Sequence, residues 1–276
     1  MILIVIGLCN LAIGAAYAGL GLLSAWETIS LHRSRGWSPF GIGFALMAAS
    51  CGPHHLTHGW YILQGGPVSW PMLIVTLIGL PSGLTFCLLR FEASRGGPGE
   101  RWLSLSTPRM VLLAGGYALV AGGLAAASFL QPEASTLFQA ICTSGTAERA
   151  AVPGLDIASV TFVANLFVAV TYSMVGWYLA DTQVRRRFAG DAWSLSGVAL
   201  AGVFFTCALM HVIEATSGGG IVMLIFDLIG IPASVYFLWV IRQLHNDSMS
   251  DWNRRPIIGT AEAPARPSPW SGSVAR

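Results

Sequence analysis

Seven apolar runs, each bounded by charged residues, prolines or glycines, account for most of the chain: 2–25, 40–62, 68–89, 109–130, 157–180, 194–215 and 220–241. Each exceeds the roughly 20 residues a helix needs to cross bilayer hydrocarbon, so the pattern predicts an all-α integral membrane protein, a seven-transmembrane-helix bundle. The first run passes Ala16-Tyr17-Ala18, a sequence like a signal-peptidase site, but it lacks a basic start and stays apolar as far as Trp26. It is therefore expected to persist as an uncleaved helix.

Arginines alternate along the connections. Arg33 and Arg35 follow the first run, Arg90, Arg95, Arg101 and Arg109 the third, Arg185, Arg186 and Arg187 the fifth, and Arg242, Arg254 and Arg255 the seventh. The intervening connections are Gln64-Gly65-Gly66-Pro67, the 131–156 segment with Arg149 alone, and Ser217-Gly218-Gly219-Gly220. Basic connections stay on the cytoplasmic side, which predicts an N-terminus outside, a C-terminus inside, and residence in the plasma (inner) membrane of a prokaryote. A transmembrane domain over 1–245 is expected to end in a flexible cytoplasmic tail, 246–276, rich in Pro, Ser, Ala and Arg.

Composition narrows the function classes. Hydrophobic residues make up 54% of the 276 and charged residues 10%, against roughly 25% charged in soluble domains. The net charge of +2 is carried by short arginine clusters between helices, a distribution that excludes a nucleic-acid surface. All 15 basic residues are arginine, so a lysine Schiff base, and with it retinal attachment, is excluded. The cysteines, Cys9, Cys51, Cys87, Cys142 and Cys207, have no paired spacing and imply no disulfide framework. Gly115, Gly116, Gly122 and Gly123 in the fourth run suggest close helix packing. The expected partner is the lipid bilayer; a lipid or small-molecule ligand and other membrane subunits are open readings.

Ionisable groups in hydrocarbon cost about 2.5–3.5 kcal/mol at a helix centre on insertion scales, so they mark where chemistry resides. The second run contains Cys51-Gly52-Pro53-His54-His55-Leu56-Thr57-His58, half of the six histidines within five residues. At about 100° per residue Cys51, His54, His55 and His58 fall in one wedge, with a possible kink at Pro53. The sixth run adds Cys207, His211 and Glu214 at the same spacing, and Asp227 is the single charge of the seventh. Given the alternating directions, all three sets lie at one level in the outer half of the bilayer.

Imidazole and carboxylate together suit zinc, iron or copper. His54, His55, His58, His211 and Asp227 are the candidate metal ligands, His54, His58 and His211 the candidate cofactor ligands for a metal or haem b, and Glu214 and Asp227 the candidate catalytic carboxylates. With an open coordination position such a site would serve a metal-dependent membrane hydrolase; with two axial imidazoles on haem it would serve a redox protein or sensor. A proton-coupled transporter or channel, a structural subunit of a membrane complex, and histidines that only hydrogen-bond carbonyls or water are the competing readings. Cys51 and Cys207 read as small buried hydrophobes, His32 and His245 as parts of the basic connections, and Asn10, Asn165, Tyr117 and Tyr172 as interhelical hydrogen-bond formers.

Ser50-x-x-x-His54 resembles a motif of the seven-helix hydrolases that include alkaline ceramidases and adiponectin-receptor-like proteins. The resemblance implies a zinc site acting on lipid amides. It covers five residues, and the late His-x-x-x-His pair of those proteins has no counterpart here, so it implies no ligand set.

Overall fold

The computed structural model describes residues 2–66, 70–129, 157–188, 190–217 and 221–246; the expectations for the 131–156 connection and for the tail beyond Asn246 lie outside them. The described residues are helical almost throughout: α1 (Ile2–Arg35), α2 (Pro39–Leu63), α3 (Trp70–Ser94), α4 (Thr107–Phe129), α5 (Ile157–Phe188), α6 (Leu195–Ser217) and α7 (Ile221–Asn246), with two-residue strands β1 (Trp102–Leu103) and β2 (Trp193–Ser194). Among the described residues five helices, α1, α3, α5, α6 and α7, are long and apolar enough to cross a membrane. Helix α2 falls outside that set because its histidines and glycines dilute its hydropathy. It is nevertheless a well-started helix: the Ser38 hydroxyl accepts the Gly41 amide at 3.0 Å, and Pro39 occupies the first turn, where no amide is needed.

The strongest helix pairs are α1–α2, α2–α7, α7–α5, α5–α6, α6–α3 and α3–α1, which close into a six-membered ring, with α4 outside it against α3. The outside of the ring is apolar and the inside mixes a hydrophobic core with buried polar groups. Leu22, Leu88, Val163 and Trp177 face outward, while Asn10, Ser50, His54, Asn165, His211 and Asp227 are buried. Polar groups gathered inside an apolar exterior suit lipid, which offers tails to the outside and no water to a polar group left facing it.

The tightest seam joins α1 to α2. A Cβ added at Gly14 would stand 2.7 Å from the Leu56 amide nitrogen, one at Gly59 2.8 Å from the Gly7 carbonyl, and one at Gly52 2.9 Å from the Ala18 amide nitrogen. Glycines at heptad spacing thus let two backbones touch. The glycines of α4 behave differently: Cβ atoms at Gly115, Gly116 and Gly123 would meet nothing within 4 Å, so among the described residues they support no close packing.

At one end of the ring the basic connections gather. Arg90 of α3 pairs with Glu27 of α1 at 2.8 Å, both buried, and His245 of α7 faces Asp181 of α5 at 3.4 Å. The segment after α3 docks on the start of α6. Trp102 pairs with Ser194 and Leu103 with Trp193, and the Glu100 carboxylate accepts from Ser194 Oγ at 2.7 Å, Ser196 Oγ at 2.5 Å and the Ser196 amide at 3.0 Å. Partial burial pushes the Glu100 carboxyl upward, but these hydrogen bonds outweigh it and hold the group below the ordinary carboxylate range. An anion at the first turn of α6 also opposes the helix dipole favourably.

In the middle of the ring the interior is aromatic. Phe204 stacks on Phe237 with centroids 5.4 Å apart, and Phe44 meets Phe86 at 5.6 Å and Phe237 at 6.1 Å. This apolar floor separates the basic end from the polar groups at the other.

Candidate metal centre

Four ring helices deliver polar side chains to the end away from the basic connections. Helix α2 contributes His54 and His58, one turn apart and so on one face; α6 contributes His211 and Glu214; α7 contributes Asp227; α5 contributes Asn165. Helices α2 and α7 pack directly, held in part by the Ser50 hydroxyl donating to the Phe226 carbonyl at 2.8 Å, while α6 reaches the group from the other side of the ring. Pro53 leaves α2 helical, and its carbonyl is engaged by the Thr57 hydroxyl at 2.9 Å.

Glu214 is the hub. Its Oε1 lies 2.7 Å from His54 Nε2 and in short contact with His58 Nε2, and its Oε2 lies 3.7 Å from His211 Nδ1. Asp227 Oδ1 stands 3.5 Å from His211 Nδ1 and 3.6 Å from His54 Nδ1. Asp227 Oδ2 accepts from the Asn165 amide at 2.6 Å, and the Asn165 carbonyl oxygen faces His211 Nδ1 at 2.7 Å. His54, His211, Glu214 and Asp227 are all buried, so Glu214 is not a solvated loop-end carboxylate. His58 is partly exposed.

Two carboxylate oxygens here, Glu214 Oε2 and Asp227 Oδ1, are buried without a hydrogen-bond partner. An unpaired buried polar atom costs about 1–3 kcal/mol, more when charged, so such atoms usually indicate a ligand or catalytic role. Among the described residues two sets of three groups could hold a metal ion: His54, His58 and Glu214, and His211, Glu214 and Asp227, with the ligand atoms of each set within 4.8 Å of one another. Three imidazoles and two carboxylates offer the nitrogen and oxygen donors that zinc, iron and copper accept.

The structure thus brings together His54, His58, His211, Glu214 and Asp227. His55, also a candidate ligand in the sequence, is turned elsewhere: its Nδ1 lies 3.0 Å from Asn10 Oδ1, and its ring meets Tyr17 edge-on with centroids 5.5 Å apart. Neighbouring residues on a helix diverge by about 100°, which sends His55 toward α1 while His54 faces the ring interior. Cys51 and Cys207 are buried free thiols, with Cys51 Sγ 3.0 Å from the Tyr172 hydroxyl, and Tyr172 lies edge-on to His211 at 5.5 Å. Tyr117, by contrast, serves packing alone, donating to the Leu77 carbonyl.

Asn165 is the member that sequence reasoning left among the packing residues. An uncharged amide in a span carries no cost large enough to single it out, and its position one helical face above Tyr172 becomes meaningful only once α5 is known to flank α7. No family model, curated protein or solved structure is similar to this chain.

Proposed function

We propose that this protein is a seven-span membrane protein that holds a transition-metal ion in the outer half of the bilayer, on His54, His58, His211, Glu214 and Asp227. The carrying observation is the pair of buried carboxylate oxygens, Glu214 Oε2 and Asp227 Oδ1, left without hydrogen bonds inside a cluster of three imidazoles. The seven-span arrangement, with the N-terminus outside, follows from the arginine alternation. It is supported by the gathering of the Glu27–Arg90, Asp181–His245 and Glu100–Ser194 contacts at one end of the ring.

A bare ion is favoured over haem. The His54 and His211 rings have centroids 5.4 Å apart at 73°, and those of His54 and His58 5.2 Å apart at 30°, spacings that leave no room for a macrocycle between them. The chemistry best matched to a histidine and carboxylate centre with a partly exposed His58 is hydrolysis. A bound ion would supply a Lewis acid and lower the pKa of coordinated water toward 7. Asn165 positions Asp227 within the cluster, and the lipid-facing exterior suits an amphiphilic substrate.

Transport is the second reading, favoured by Pro53, Pro81 and Pro232 inside α2, α3 and α7. The aromatic floor of Phe44, Phe86, Phe204 and Phe237 argues against a continuous path through the ring. Elemental analysis and an absorption spectrum of detergent-purified protein test the proposal. Metal present in the wild type, reduced in His54→Ala and in His211→Ala, and accompanied by no Soret band is the expected result. Protein purified from metal-replete cells that holds no metal would end it.

A further inference from the structure

The two ligand sets share one residue, and that residue divides its oxygens between them. Glu214 Oε1 faces His54 and His58, and Glu214 Oε2 faces His211, beside Asp227 Oδ1, which accepts no hydrogen bond. We propose that the centre is binuclear, with the Glu214 carboxylate bridging one ion held by His54 and His58 and a second held by His211 and Asp227. This inference rests on the metal reading above and sharpens it.

Three features carry it. A single ion at His54, His58 and Glu214 Oε1 would leave Glu214 Oε2 and Asp227 Oδ1 buried and unsatisfied, whereas a second ion between them and His211 uses both. A bridging carboxylate places two ions about 3.5–4 Å apart, the separation of two-metal hydrolytic sites. Glu214 and Asp227 carry two negative charges among imidazoles that ligate only as neutral rings, so one divalent ion neutralises the cluster and the second makes it electrophilic. Ligation by His211 Nδ1 requires it to give up its contact with the Asn165 carbonyl oxygen. The Asn165 amide keeps its bond to Asp227 Oδ2, so the second carboxylate stays positioned.

The test is metal stoichiometry on the full-length chain in detergent, after equilibration with excess zinc and removal of free ion, together with electron paramagnetic resonance of the manganese-loaded protein. The binuclear centre predicts two zinc ions per chain and an exchange-coupled manganese signal. His58→Ala and Asp227→Asn should each halve the zinc content and leave a signal from isolated manganese. One zinc ion per chain in the wild type, with only uncoupled manganese, would overturn the binuclear proposal and leave the metal reading standing. Two ions that persist in both variants would overturn the ligand assignment on which the proposal depends. No bound ion would overturn both readings. His58 is partly exposed and Asp227→Asn is nearly isosteric, so neither variant is expected to unfold, and the wild-type measurement decides independently of both.

Discussion

The two buried charged groups of this ring are built on opposite principles. At the basic end Glu27 and Arg90 form a pair of one anion and one cation at 2.8 Å between α1 and α3. At the other end two carboxylates and three imidazoles meet without a fixed cation, and two carboxylate oxygens find no hydrogen bond. The first arrangement pairs an anion with a permanent cation and joins two helices. The second has no permanent cation of its own and offers donors that could hold a metal ion.

The difference can be broken most forcefully at the ion pair. Arg90→Leu strands the Glu27 carboxylate in the interior and should lower stability by about 3–5 kcal/mol, while the double change Glu27→Leu with Arg90→Leu should recover most of that loss. Thermal unfolding in detergent measures both, and a double variant no better than the single one would show that the pair is more than its charges.

At the polar cluster the largest effect is on ligand response. Zinc at 100 times its dissociation constant should stabilise the wild type by about 2.7 kcal/mol and leave Glu214→Gln almost unmoved. Equal stabilisation of both proteins would place the zinc somewhere else. In the metal-free state Glu214→Gln weakens the contacts of Oε1 with His54 and His58 and should lower stability by about 1 kcal/mol, less than Glu27→Gln in the pair with Arg90. Chemical unfolding of the two variants side by side checks that contrast.

The smallest effect lies outside both clusters, at the Glu100 clasp. Folding depresses this carboxyl, so its contribution is present at neutral pH and is lost as pH falls below the ordinary carboxylate range. Amide exchange at the start of α6 should accelerate between neutral pH and below about pH 4, relative to the intrinsic rate, and Glu100→Gln should abolish the dependence.

The same contrast explains what could be read in the sequence. Helical periodicity put His54 with His58 and His211 with Glu214 on shared faces, and the depth of Asp227 followed from the direction of its helix. These are properties of single helices. Glu27 lies beyond the apolar run, which ends at residue 25 while α1 continues to Arg35, and Arg90 reads as a topology determinant although its side chain is buried. Asn165 and Asn10 acquire roles only from the order of helices around the ring, which periodicity does not encode. The divergence of His55 is a 100° rotation visible in principle, but a wedge wide enough to include both His54 and His58 includes His55 as well. The seam through Gly14, Gly52 and Gly59 is spaced by heptads and so was legible, yet the denser glycines of α4 drew attention first.

X-ray absorption at the edge of the metal that accompanies the purified protein tests the central claim most directly. The account predicts a shell of nitrogen and oxygen alone at about 2.0–2.2 Å with the outer-shell scattering of imidazole, lost in Glu214→Gln. A sulfur shell near about 2.3 Å would move the site to Cys51 and Cys207 and contradict the histidine–carboxylate assignment.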